Sequence, residues 1–361
     1  MESIVAISDS HLGYRHRFKL KRLKDYEKAF NEALAKALDI KPAVIVFCGD
    51  LLHHTRPDPK SMRILLQNLI KAAESAQVVV CIGNHEIAGH LGTAYSPMFS
   101  DLHRNIHVLT SENPHITLTV DGKQIGFHGF QYLRSRESAE GMLERISTQV
   151  SGNDYNILCL HQAVEKYLNP HEISLRVLRE VAPKYNLILL GHVHKHQKVG
   201  EVFDITPTYY VGSTERISFN EWQNQNGFMV FREYKFGEPD FVSVSSASIK
   251  RITADLGETT PSEINNFIDR SINDSKGVDL LQINISSKMA GDFFDVRQDW
   301  SDSYTDFTVL DVNIQPSGAD RRVDFQKLQI NEELIREYFK QTGMEGQNEL
   351  LETCMELYSE I

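Results

Sequence analysis

The chain has 361 residues, a hydrophobic fraction of 41% and a formal net charge of −11. That length calls for two or three domains rather than one, and no apolar run of 18 residues is present, so no membrane span is expected. The acidic excess argues against non-specific coating of nucleic acid, but it is uneven: residues 1–249 hold 27 acidic and 27 basic side chains, whereas residues 250–361 hold 22 and 11.

The N-terminus passes directly into an apolar run, residues 4–7, with no basic segment and apolar stretch of a secretion signal, so a cytoplasmic rather than secreted protein is expected. Ser8-Asp9-Ser10-His11 follows that run. Residues 18–40 predict a helix, with Leu20, Leu23, Phe30, Leu34 and Leu38, together with Tyr26 and Ala37, on one face. Its start is basic: Arg15, Arg17, Lys19, Lys21, Arg22 and Lys24 are six of ten consecutive residues. Such a run is either a solvated helix face or a set of phosphate contacts. The run 43–47 leads into Gly49-Asp50-Leu51-Leu52-His53. Residues 61–75 predict a second helix with a stripe of Met62, Leu65, Leu66, Leu69 and Ile70. The run 78–82 leads into Gly83-Asn84-His85-Glu86.

Through about residue 110 strand and helix alternate, the sign of a layered βαβ fold. From 107 to 130 the period becomes two: Ile116, Leu118 and Val120 alternate with threonines before a Val-Asp-Gly-Lys turn, which predicts an antiparallel hairpin. The run 156–160 precedes His161-Gln162, and 187–190 precedes Gly191-His192-Val193-His194. Strands near 208–211 and 227–234 close a unit spanning 1–248. The fold class is therefore α/β, a sandwich of two mixed sheets flanked by helices. Cys48, Cys81 and Cys159 lie in strand runs and Cys354 near the end, so they read as core thiols in a reducing compartment.

A second α/β unit is expected over 249–318, with strands at 250–254, 281–286 and 308–314 and helices at 261–272 and 290–300. Pro261-Ser262-Glu263 is a helix start. Residues 319–361 read as a linker and two helices broken at 343–346. Leu334, Ile335, Tyr338 and Phe339 mark one apolar face, and Leu350, Leu351, Met355 and Leu357 the other.

Five segments thus deliver Asp, Asn and His to strand ends, where ligands collect in α/β sheets. Asp9, His11, Asp50, Asn84, His161, His192 and His194 form a mixed oxygen and imidazole set suited to manganese, iron or zinc. Seven ligands exceed the need of one ion, and an aspartate can bridge two. His85 is not required as a ligand and is placed to stabilise developing charge or protonate a leaving group.

The series D-x-H, GD-x-x-H, GNHE, H and GHxH resembles the calcineurin-like metallophosphoesterases. Within them, His11-Leu12-Gly13-Tyr14, Gly49-Asp50-Leu51-Leu52-His53 and Gly212-Ser213-Thr214-Glu215-Arg216 resemble the Mre-eleven and SbcD family of double-strand-break repair nucleases, in its archaeal form. Glu86 departs from the Asp of many superfamily members.

The resemblance implies a 3′–5′ exonuclease and endonuclease with two Mn2+ ions. Asp9, His11, Asp50 and His194 would hold one, and Asp50, Asn84, His161 and His192 the other. His53 and His85 would contact the scissile phosphate, and Tyr14, Arg15, Arg17, Lys19 and Arg22 would meet DNA. It further implies a capping domain (249–318) and a coiled-coil ATPase of the SMC type (Rad-fifty or SbcC) docked on the C-terminal helices. A homodimer is also implied, with the stripe on 61–75 and Tyr95, Pro97, Met98 and Phe99 as candidate contacts. Ordinary packing accounts equally for those apolar faces. A small-molecule phosphodiesterase or protein phosphatase on the same fold is the competing reading, and a non-enzymatic scaffold activating the ATPase is a third.

Overall fold

The computed structural model describes residues 3–316 apart from 17–18, 88–93, 151, 290–295, 297–299 and 301–306. The first half comprises β1 (Ser3–Ile7), α1 (Leu20–Asp39), β2 (Val44–Cys48), α2 (Pro59–Ala73), β3 (Gln77–Cys81), β4 (Ile106–Leu109), β5 (His115–Val120), β6 (Lys123–Gly129), α3 (Arg136–Ser147) and β7 (Tyr155–His161). It continues with α4 (Leu175–Val181), β8 (Leu187–Gly191), β9 (Gln197–Lys198), α5 (Gly200–Phe203), β10 (Thr208–Tyr210), β11 (Gly227–Arg232) and β12 (Asp240–Ser243). Then come β13 (Ile249–Thr259), α6 (Pro261–Asn273), β14 (Leu280–Met289) and β15 (Val309–Pro316).

Two six-stranded sheets run β12-β11-β1-β2-β3-β4 and β5-β6-β7-β8-β10-β9. In the first, β1 to β4 are parallel and β11 is antiparallel to β1. In the second, β6, β7, β8 and β10 are parallel between antiparallel edges. Both sheets are therefore mixed, as expected.

The continuous apolar runs follow from burial on both strand faces. On the first sheet Val5, Ile7, Phe47 and Val80 pack against Phe30, Leu34, Leu65 and Leu69 of α1 and α2. Their neighbours Ile4, Ala6, Val46 and Val79 face the second sheet, meeting Phe127, Ile157 and Leu189. Outside that sheet, Leu158, Leu160, Ile188 and Leu190 are covered by Leu143 and Ile146 of α3 and by Leu178 of α4. The layers are helices, sheet, sheet, helices. The sequence pattern had not marked α3 and α4.

Local chemistry sets the element ends. Asp58 caps α2 by accepting from the backbone N–H groups of Lys60 and Ser61, with Pro59 in the first turn, so the helix starts two residues before the expected 61. Helix α1 begins at Leu20, and Leu20 itself is 64% exposed. It lies outside the apolar face assigned to it, because the stripe that packs begins at Leu23.

The remaining strands form a parallel sheet, β13-β14-β15. Helix α6 covers one face, packing Ile264, Ile268 and Ile272 on Leu281, Ile283 and Ile285. Thr260 and Glu263 cap α6 reciprocally. Val296 and Trp300 are buried in this unit's core, but the rest of the helix expected at 290–300 lies outside the described residues, as do the helix pair at 331–361 and the whole 319–361 segment. Among the described residues no helix is long and apolar enough to cross a membrane.

Candidate metal centre

The five motif segments meet at the carboxyl ends of β1, β2, β3, β7 and β8. Strand β7 carries His161 as its own last residue, whereas β1, β2 and β8 deliver their ligands through sharp turns. Asp9, His11, Asp50 and His192 all take left-handed backbone conformations, with φ of 50°, 45°, 50° and 80°. Non-glycine residues rarely adopt that region, and they do so chiefly where function demands it. Two glycines make the close approach possible. A side chain at Gly83 would collide with the Asp50 carboxylate, and one at Gly49, itself at φ +93°, with the His161 ring.

Two groups of potential ligand atoms result, Asp9–His11–His194 and Asp50–His161–His192, each lying within 4.8 Å of one another. Asp9, His11, Asp50 and His161 are buried, while Asn84, His192 and His194 are half-buried at the mouth. Asp50 faces both groups: its Oδ2 lies 3.2 Å from His161 Nε2 and 3.7 Å from His11 Nε2. Asn84 Oδ1 is 3.1 Å from the same His161 nitrogen. Asp9 Oδ1 is 3.6 Å from His194 Nε2 and 3.9 Å from His11 Nε2.

The outer atoms of these ligands are held. His161 Nδ1 donates to the Cys48 carbonyl at 2.8 Å, which turns Nε2 inward. Asp9 accepts from the backbone N–H of His192 at 3.2 Å and from Ser8 Oγ at 2.5 Å. His194 Nδ1 donates to Glu221 Oε1 at 3.1 Å. This pattern, with one nitrogen inward and the other tied to a carbonyl or carboxylate, is how imidazole ligands are oriented.

Electrostatics agree with a cation site. Burial pushes Asp9 upward, while the His161 and His194 imidazoles pull it back. Burial would also raise Asp50, but His161 and His11 hold it well below the ordinary carboxylate range. The pairing is mutual: burial would lower His161, yet Asp50 and Asp9 push it up to about 10. Burial and the neighbouring His161 push His192 down to about 3. Two buried carboxylates facing four imidazoles form a donor set that fits two borderline divalent cations.

A third group, His11, His53 and His85, also brings its ring nitrogens within 4.8 Å. Its contacts read as a hydrogen-bond chain. His11 Nε2 faces His194 Nε2 at 3.1 Å and the carboxylates, and His11 Nδ1 meets His53 Nδ1 at 3.1 Å. One of these two Nδ1 atoms donates to the other, the donor being whichever ring carries its proton there. His85 Nδ1 donates to the His53 carbonyl at 3.0 Å, and its ring stacks on that of His53 at 4.5 Å. Burial and the neighbouring His85 hold His53 near pKa 3, so it is neutral.

The expected DNA contacts divide. Tyr14 is half-buried with its ring 4.2 Å from that of His53, and Arg15 and Lys19 are exposed. Arg17 lies outside the described residues. Arg22 is a correction: it is fully buried, paired with Asp25 at 2.9 Å and Glu215 at 3.5 Å, and donates to the Arg216 carbonyl at 2.6 Å. Its charge is consumed internally, and no phosphate can reach it. Lys21 is exposed but pairs with Asp279 at 2.9 Å, bridging α1 to the residue before β14.

Two residues beside the site carried no sequence signal. Glu221 reaches His194 from a loop 27 positions downstream. Tyr132 lies 5.6 Å from the His192 ring, with its hydroxyl on Glu172 at 3.1 Å.

A two-sheet sandwich with paired Asp/His clusters at its strand ends defines a binuclear metallophosphoesterase. Residues 3–196 match the calcineurin-like phosphoesterase family, and the chain belongs to it. Among its relatives, the DNA double-strand break repair protein Mre11 of Methanocaldococcus jannaschii is 28% identical over 354 residues, covering 95% of this chain and 91% of that protein. The Mre11 of Methanopyrus kandleri is 27% identical over 232 residues, 61% of this chain and 50% of that one. That of Archaeoglobus fulgidus is 25% identical over 277 residues, 67% and 59% respectively. The resemblance to the Mre-eleven family drawn from the motifs is thus borne out.

Proposed function

We propose that the protein is a manganese-dependent DNA nuclease, acting as 3′–5′ exonuclease and endonuclease in a double-strand-break repair complex. The observation that carries the chemistry is Asp50 Oδ2, which lies between the two ligand groups. Asp9, His11, Asp50 and His194 would hold one Mn2+ and Asp50, Asn84, His161 and His192 the second. When bound, two such ions supply Lewis-acid polarisation of a phosphoryl oxygen and activate water at neutral pH.

The chain's own residues do the rest. His53, neutral and turned by His11, donates its Nε2–H to a non-bridging phosphate oxygen. His85, anchored through its Nδ1–H to the His53 carbonyl, acts as the imidazolium, giving its Nε2 proton to the leaving oxygen and remaining as the neutral Nδ1–H imidazole. Tyr14, Arg15 and Lys19 supply contacts to the DNA backbone on the α1 side of the site, and Arg17 joins them as a member of the same basic run in the sequence. The names of the relatives support DNA as the polymer cleaved. Residues 1–248 form the nuclease domain, 249–318 the cap, and 319–361 the segment that engages a coiled-coil SMC-type ATPase (Rad-fifty or SbcC). The working unit is a cytoplasmic homodimer.

Purified protein is assayed with manganese on linear double-stranded DNA and on bis-p-nitrophenyl phosphate. Hydrolysis of both supports the nuclease. Turnover of the small ester with intact DNA, under conditions where DNA binding is saturated, supports a small-molecule phosphodiesterase instead. Deleting 331–361 should spare the small ester and abolish co-purification with the ATPase; retained binding places that contact elsewhere.

A further inference from the structure

Among the imidazoles of the site, His194 is unusual in where its outer nitrogen goes. His161 uses a backbone carbonyl, whereas His194 uses the Glu221 carboxylate. That carboxylate is itself fixed. Its Oε2 accepts from the backbone N–H of Ile217 at 3.0 Å, and Oε1 accepts from Ser218 Oγ at 3.3 Å. The side chain is only 15% exposed. Glu221 closes a single helical turn, Phe219–Glu221, whose backbone is pinned by Arg216 Nε donating to the Glu221 carbonyl at 3.2 Å.

The same turn is seated on the three-stranded unit. Phe219 packs on Ala247, Leu280 and Val309. Asn220 Oδ1 accepts from Arg251 Nη1 of β13 at 3.1 Å. Arg216 also donates to the Ala247 carbonyl and Ser246 Oγ at 2.8 Å each, tying the turn to the segment that leads into β13. One residue of the turn therefore touches a candidate ligand, while its two neighbours touch the second unit.

We infer that Glu221 is a positioning residue for the Asp9–His11–His194 metal position, and that the three-stranded unit sets the strength of that position by seating the turn that carries Glu221. The inference rests on the two-ion reading of the site. The carboxylate holds His194 in the tautomer with Nε2 inward and raises its basicity as a donor. Loss of the carboxylate leaves the imidazole free to turn, and only the ion that His194 holds should feel it. A shift of the second unit would move the turn and act on the same ion.

The test titrates Mn2+ into the full chain by calorimetry, for the wild type and for Glu221→Ala, Glu221→Gln and Arg251→Ala, with circular dichroism confirming the fold. Wild type should bind two ions. Glu221→Ala should weaken one of them about 10–100-fold and leave the other unchanged. Glu221→Gln retains one acceptor oxygen for three donors and should fall between, which also serves if the alanine variant misfolds. Arg251→Ala should weaken the same ion severalfold. Hydrolysis of bis-p-nitrophenyl phosphate by Glu221→Ala should return to the wild-type maximal rate once manganese is raised by the factor lost in affinity. Two ions of wild-type affinity in well-folded Glu221→Ala and Glu221→Gln overturn the role of Glu221, and wild-type binding by Arg251→Ala overturns the role of the second unit. A wild type that binds one ion refutes the two-ion reading, a separate outcome.

Discussion

His85→Gln separates chemistry from metal holding. The His85 backbone N–H donates to Asp50 Oδ1 at 3.0 Å, and any side chain except proline preserves that bond. What the substitution removes is the ring: its hydrogen bond to the His53 carbonyl at 3.0 Å, its stack on His53 and its edge contact with His11 at 4.9 Å. A half-buried hydrogen bond contributes about 1 kcal/mol, so the folded protein should lose no more than about 1–2 kcal/mol in stability. A positioned acid or base contributes about 10²–10⁴ in rate, which is about 2.7–5.4 kcal/mol at 1.36 kcal/mol per tenfold. Activity should therefore fall at least a hundredfold while fold, DNA binding and metal content stay. The assay is hydrolysis of bis-p-nitrophenyl phosphate at saturating manganese, with the bound ions counted in the same sample. Loss of an ion together with activity would refute the reasoning and make His11, His53 and His85 a ligand group.

Gly83→Ala drives a Cβ into the Asp50 carboxylate; the folded variant should lose metal and activity together, as read by metal analysis after gel filtration. Acidity should oppose metal binding. Asp9 and Glu221 overcome the burial that would lower His194 and bring it to about 9, and Asp50 brings His161 to about 10, so in the metal-free protein both imidazoles hold protons at neutral pH. An ion must displace them, and apparent manganese affinity should rise about tenfold per pH unit for each proton released below pH 9. Calorimetry in buffers of different ionisation enthalpy reads that release directly. The same two groups have raised folded pKa values, so they stabilise the metal-free fold below pH 6.5 and stop doing so as pH climbs through 9 to 10; its melting temperature should fall over that window. His128 carries the opposite sign. Burial pushes it down to about 4, so stability should drop as pH falls from 6.5 towards 4, and the slope should flatten in His128→Gln.

The sheets were legible because β1, β2, β3 and β8 are buried on both faces, which leaves unbroken Val, Ile and Leu runs. The ligands were legible because each directly follows such a run. Arg22 was misread because a basic residue near the start of an amphipathic helix looks the same whether it meets solvent or the Glu215 loop, and only the fold brings Glu215 over α1. Glu221 was invisible for a related reason. It sits in a loop without periodicity, and its role exists only once β8 and the turn after β10 lie side by side. Helices α3 and α4 escaped because they are short and flanked by polar residues, and packing on the second sheet rather than propensity holds them.

The central claim is a pair of ions bridged by Asp50. It is tested most directly by metal analysis of the manganese-saturated, desalted protein beside Asp50→Ala, with folding verified for both. The account predicts two ions per chain in the wild type, and fewer than one with no hydrolysis in Asp50→Ala. A single ion in the saturated wild type, or two retained by Asp50→Ala, would contradict it.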